Sequence, residues 1–100
     1  MLELLTSEKE LIGKWIIREN NIGGDAVLER IEWLVKNRLE KIGTDESGWD
    51  TLFQDPSDGR FWERIYPDSY MQGGGPPALI CLSVDEARRK YSDLFKSTVD

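Results

Sequence analysis

Trp49-Asp50-Thr51-Leu52-Phe53-Gln54-Asp55-Pro56-Ser57-Asp58-Gly59-Arg60-Phe61-Trp62-Glu63-Arg64-Ile65-Tyr66 is the most informative stretch of the chain. Its flanks are rich in aromatic and branched residues, as strands are, and its middle carries turn chemistry. Pro56 presets φ for the first turn position, Asp55 can bond turn amides, and Gly59 accepts a left-handed backbone. Trp49 to Gln54 and Arg60 to Tyr66 therefore read as the two strands of a hairpin. With Pro56 to Gly59 as the loop, Asp55 faces Arg60, Phe53 faces Trp62 and Trp49 faces Tyr66, gathering four aromatics on one face. A five-residue loop would break that register.

Downstream, Ala78-Leu79-Ile80-Cys81-Leu82 reads as a third strand. It is reached through Gln72-Gly73-Gly74-Gly75-Pro76-Pro77, whose glycines and prolines suit neither a helix nor an interior strand. Ser83-Val84-Asp85-Glu86 is a capping box opening a last helix, with Ala87, Tyr91, Leu94 and Phe95 along one side, before a fraying end. Upstream, Val27, Leu28, Ile31, Leu34, Val35, Leu39 and Ile42 recur every three or four residues behind Asp25 as N-cap. This predicts a long amphipathic helix closed by Gly43. Ser7-Glu8-Lys9-Glu10 has capping-box spacing too, and Leu11, Ile12, Trp15 and Ile16 predict an earlier helix stopped by the Asn and Gly residues after it. The expected architecture is α+β: two N-terminal helices, a short three-stranded antiparallel sheet within residues 48–83, and one C-terminal helix, in a single domain over 1–100. Ile31, Leu34, Val35 and Leu39 are expected in its core.

The 100 residues suffice for one hydrophobic core, and 39% hydrophobic residues with ten aromatics argue for a folded chain over a disordered one. No window approaches the ~18 apolar residues of a membrane span, and Met1-Leu2-Glu3-Leu4-Leu5 lacks the regions of a signal peptide, so a cytoplasmic location is expected. There is no histidine, which excludes a His triad, a His general base and His-ligated metal. The one cysteine, Cys81, forms no internal disulfide and reads as a small buried hydrophobe. A formal charge of −6 opposes binding to nucleic-acid phosphates or anionic lipid. Neither nucleic acid nor membrane is an expected partner.

The imbalance is local: residues 45–70 hold seven acids against two arginines, and six of the ten aromatics. Acids interleaved with large rings suit a protein-binding surface, where rings anchor and carboxylates steer a basic partner. Asp45, Asp50, Asp55, Asp58, Arg60, Trp62, Glu63 and Asp68 are the candidate contact residues. The competing reading makes the rings core and the acids a solvated rim. Arg60 and Arg64 alternate with Trp62 and Tyr66 like a nucleic-acid stacking strand, but two arginines among seven acids make no basic groove. A bond from Arg60 to Asp55 or Asp58 is the expected use. Asp55, Asp58 and Glu63 as a hydrolase's acid and base lack a nucleophile and an oxyanion hole, and the run from Asp55 lacks the ligand alternation of a calcium loop. Pro76 and Pro77 remove the amides a phosphate loop would need. No catalytic residue, metal or cofactor is expected.

Arg30-Ile31-Glu32-Trp33-Leu34, Trp49, Asp55-Pro56-Ser57-Asp58-Gly59-Arg60-Phe61-Trp62-Glu63, Tyr66-Pro67 and Gly73-Gly74-Gly75-Pro76-Pro77, taken together, resemble the immunity protein 27 family of bacterial polymorphic toxin systems. The resemblance runs from about Gly13 to Tyr91. It implies a small cytoplasmic antidote that binds and blocks a cognate toxin in the producing cell, and a nuclease with a basic cleft would suit the acidic charge. The chain departs from the family pattern at Tyr70-Met71-Gln72, where an acidic residue and a histidine are expected before the glycine run. No role of such a histidine carries over. A protein-binding adaptor is the runner-up function, and a small carboxylate hydrolase the third.

Overall fold

The computed structural model describes residues 3–18, 21–67 and 75–95. In order come β1 (Glu10–Ile12), β2 (Trp15–Arg18), β3 (Asn21–Gly24), α1 (Ala26–Asn37), β4 (Glu40–Thr44), β5 (Thr51–Gln54), β6 (Phe61–Ile65), β7 (Ala78–Leu82), α2 (Val84–Lys90) and a 3-10 turn at Ser92–Leu94. Five strands form one sheet in the order β1-β7-β6-β5-β4, and β2 with β3 makes a separate two-stranded ribbon. All pairings are antiparallel.

The β5–β6 hairpin has the expected register, with Phe53 opposite Trp62 and the Asp55 N–H donating to the Arg60 carbonyl at 2.9 Å. Gly59 sits at φ 80°, a left-handed conformation in which a side chain would strain the backbone. Alternation along the strands sends side chains to two covered faces. On one, Phe53, Trp62 and Leu79 pack with Leu11, Leu39, and Ile31 and Leu34 of α1. On the other, Leu52 packs with Ala87 and Tyr91, joined by Ile42, Phe61, Leu82 and Phe95. Val35 and Cys81 are half-buried against the first cluster.

Two expectations are corrected. There are not two N-terminal helices: the region of the first is β1, β2 and β3, and the sheet has five strands where three were expected. Leu11, Ile12, Trp15 and Ile16 mimic a helical stripe, yet Leu11 is buried while Ile12 and Trp15 are about half-exposed. Between them the Gly13 N–H donates to the Pro77 carbonyl at 3.0 Å, and a Cβ on Gly13 would lie 2.8 Å from that oxygen. The chain therefore passes the Pro77 backbone, just before β7, too closely for a side chain at this position without a shift. The Ser7–Glu10 capping box is absent; instead the Glu8 carboxylate accepts the Leu5 N–H at 2.8 Å.

The second helix is real but shorter than predicted. Asp25 caps it through the Leu28 N–H at 2.8 Å, and it ends at Asn37, where the N–H groups of Arg38 and Leu39 both donate to the Leu34 carbonyl. Gly43 is no C-cap; it lies in β4, packed under Leu94. Leu39 and Ile42 continued the helical spacing by coincidence, since they serve opposite faces of the sheet. The last helix starts as read, with a complete capping box between Ser83 and Glu86, but it ends at Lys90: Tyr91 is its C-cap, and Leu94 lies in the 3-10 turn that follows.

Leu34 is 1% exposed at the centre of the first cluster. Leu34→Ala should cost about 2–5 kcal/mol, a severe loss against a typical total of about 5–15 kcal/mol. Urea denaturation measures it, and a loss below about 1 kcal/mol would contradict the packing described.

Candidate partner-binding site

The candidate contact residues fall at two ends of β5. Asp45 and Asp50 bound the turn that enters it, whereas Asp55, Asp58 and Arg60 form the hairpin loop that leaves it. Four strand residues separate the groups by about 14 Å. Trp62 and Glu63 lie between them on opposite faces of β6, and Asp68 lies outside the described residues.

At the hairpin end the charges close the loop. Asp55, 7% exposed, accepts from the Ser57 N–H at 2.9 Å and the Ser57 hydroxyl at 2.7 Å. Asp58 accepts from the Arg60 N–H at 3.0 Å and from its guanidinium at 2.7 Å, the bond the sequence suggested. Burial works to raise the Asp58 carboxyl, but these bonds outweigh it and hold the group below its ordinary range. Arg60 also donates to the carbonyls of Glu8 and Leu5 and lies 4.9 Å from the centre of the Trp62 ring. Trp62 itself is wholly buried.

At the other end Asp45 organises the turn, accepting from the Ser47 hydroxyl at 2.7 Å and the Gly48 N–H at 3.0 Å. Burial works to raise its carboxyl, but these bonds outweigh it and hold the group low. Lys90 from the last turn of α2 donates to Asp50 at 2.7 Å and pairs with Glu63. Glu63, 6% exposed, also accepts the Tyr91 hydroxyl at 2.7 Å. Burial works to lower the Lys90 ammonium, yet its two carboxylate partners leave it above its ordinary value. Burial and the bond to Glu63 push the Tyr91 phenol up.

Trp49 is 53% exposed and meets Tyr66 edge to face, with ring centres 5.7 Å apart. Trp49, Tyr66, Lys90 and Tyr91 were not among the candidate contact residues. The hairpin register contained the Trp49–Tyr66 pair, and the Ser83 cap fixes a helix whose second turn carries Lys90 and Tyr91. Their meeting with Glu63 joins residues 28 apart in the chain and has no local signature.

The N-terminal segment is held by a fork in which Arg30 of α1 donates to both Glu8 oxygens, at 2.7 and 2.6 Å. That guanidinium pulls the Glu8 carboxyl down to about 2 from an ordinary 4.5, burial opposing it and the Leu5 N–H assisting. Among the described residues no group of three or more His, Cys, Asp or Glu side chains is placed to hold a metal ion, and no helix is long and apolar enough to cross a membrane.

The family model described as immunity protein 27 matches residues 17–83, from β2 to the residue that caps α2. No curated protein and no solved structure matches the chain.

Because the Glu8 carboxyl is depressed in the folded chain, its contribution to stability is complete above about pH 4.5 and fades as pH falls towards about 2. Glu8→Gln should cost about 1 kcal/mol at pH 6, the scale of a partly solvated ion pair. Urea midpoints of the parent and the variant should converge as pH drops through that window. A gap that stays constant down to pH 2 would contradict the assignment.

Proposed function

Since the chain belongs to the immunity protein 27 family, we propose that it is an antidote that binds and neutralises a cognate toxin of a bacterial polymorphic or contact-dependent system. It acts by stoichiometric association in the cytoplasm of the producing cell, without catalysis. The family membership carries this reading. The formal charge of −6 supports a basic target, with a nuclease as the favoured class because a cleft shaped for phosphates is itself basic. The bonding of Asp55, Asp58 and Glu63 supports a non-catalytic role, since each is committed to an intramolecular partner that holds a turn or a helix in place. Asp45, Asp50 and Asp58, at or near the surface, would steer the approach. Asp68 would add to the same field.

If a toxin domain is encoded beside this chain, as the antidote reading expects, it is the reagent for the test. Co-expression should restore growth to cells producing the toxin, and the two purified proteins should form a 1:1 complex. Asp50→Lys and Asp58→Lys should slow association several-fold, more so at 0.01 M salt, where the Debye length is about 30 Å. Stopped-flow mixing measures the rates once circular dichroism shows the variants folded. Absence of binding and protection would remove the antidote reading, whereas unchanged rates at low salt would remove only the electrostatic part.

A further inference from the structure

Between the turn at 45–50, the end of β6 and the last turn of α2 lies an open cleft of about 440 Å³. Trp49, Asp50, Glu63, Tyr66 and Lys90 line it. Its inner wall is Glu63, more than nine-tenths buried, whose Oε2 takes both the Tyr91 hydroxyl and the Lys90 ammonium. Asp50 likewise meets Lys90 through Oδ2. Among the described residues no hydrogen bond reaches Oε1 of Glu63 or Oδ1 of Asp50. The outer wall is aromatic: the planes of Trp49 and Tyr66 meet at 75°, so the two rings form a corner.

We propose that this cleft is the docking point for one arginine side chain of the toxin, an inference that rests on the antidote reading above. Charge selects a cation, because Asp45, Asp50 and Glu63 outnumber the ammonium of Lys90 and the guanidinium of Arg64, which lies 6.0 Å from the Tyr66 ring, and leave the described neighbourhood at −1. Lys90 shows that an alkylammonium fits between the two inner carboxylates, and its side chain is 39% exposed there. A second cation need not displace it, since no described residue bonds the second oxygen of either carboxylate. Arginine fits better than lysine, because a planar guanidinium can lie on the half-exposed Trp49 ring while its edge donates to Asp50. Tryptophan and arginine are also the residue types most often found to dominate interfaces.

The test measures the affinity of the purified toxin domain for the intact chain by calorimetry. Trp49→Ser and Asp50→Asn should each weaken binding by about tenfold or more, the cost of losing an interface anchor. Glu32→Gln, on the exposed face of α1, should leave it unchanged. Tyr66→Ala replaces Asp50→Asn if circular dichroism shows that variant unfolded. Alanine replacement of the toxin's arginines should then find one whose loss no longer matters once Asp50 is Asn, the non-additivity of a directly touching pair. Parent-like affinity in both Trp49→Ser and Asp50→Asn, or no toxin arginine coupled to Asp50, would overturn the docking point and leave the antidote reading intact. Failure of the parent chain to bind the toxin would instead remove the antidote reading, and the docking point with it.

Discussion

Leu52 and Phe53 are adjacent in β5, point to opposite faces of the sheet, and are both shut off from water. A strand buried on both faces must be covered twice, and burying each such side chain is worth about 1.5–3 kcal/mol. α1 supplies one cover; α2 and the turn after it supply the other. The neighbouring strand raises the stakes, because β6 puts Trp62 under α1 and the carboxylate of Glu63 under α2. A buried carboxylate stripped of its partner typically costs about 3–5 kcal/mol. α2 is therefore fixed from both ends: the Ser83 capping box sets where it starts, and Tyr91 and Lys90 must reach Glu63 where it finishes.

That dependence explains what could be read from the sequence. The hairpin across residues 55–60 and the caps at Asp25 and Ser83 are short-range devices, each complete within a few residues, so their chemistry stands in the sequence itself. The pairing of β1 with β7 joins residues about 70 apart, and nothing near Leu11 announces it. Four apolar residues spaced like a helical stripe were then free to suggest the wrong element. The overlong helix has a related cause, because a sheet covered on both faces makes two neighbouring apolar residues, Leu39 and Ile42, belong to different cores. The acidic character of the candidate site was visible as composition. The commitments of Asp55 and Asp58 were legible because their partners are local, whereas those of Asp50 and Glu63 were not, since Lys90 lies 40 and 27 residues away from them.

Those commitments separate two roles of charge. Asp45, Asp55 and Asp58 close turns, Glu63 holds α2, and Glu8 ties down the N-terminal segment. Asp45 and Asp55 are bonded to neutral donors and still contribute their full charge to the field at a distance, whereas Arg60, Lys90 and Arg30 offset the charges of Asp58, Glu63 and Glu8. At contact the reverse holds: an oxygen already bonded inside the chain has less to offer a partner, and breaking its bond would weaken the fold. Attraction over tens of ångströms and adhesion at contact therefore need not come from the same residues.

Adhesion favours groups that are exposed yet already held in place, because a side chain that needs no ordering on binding loses less entropy. Trp49 meets both conditions. The Ser47 hydroxyl accepts its N–H at 3.1 Å, Asp45 fixes that hydroxyl in turn, and Tyr66 supports the ring edge to face. At the opposite end the hairpin loop keeps its polar groups for itself. The sheet thus presents a rigid aromatic corner beside partly bonded carboxylates at one end, and a self-satisfied acidic loop at the other. On the proposed antidote reading, contact energy would come from the first end, and the second would add to the field that draws a basic toxin towards it.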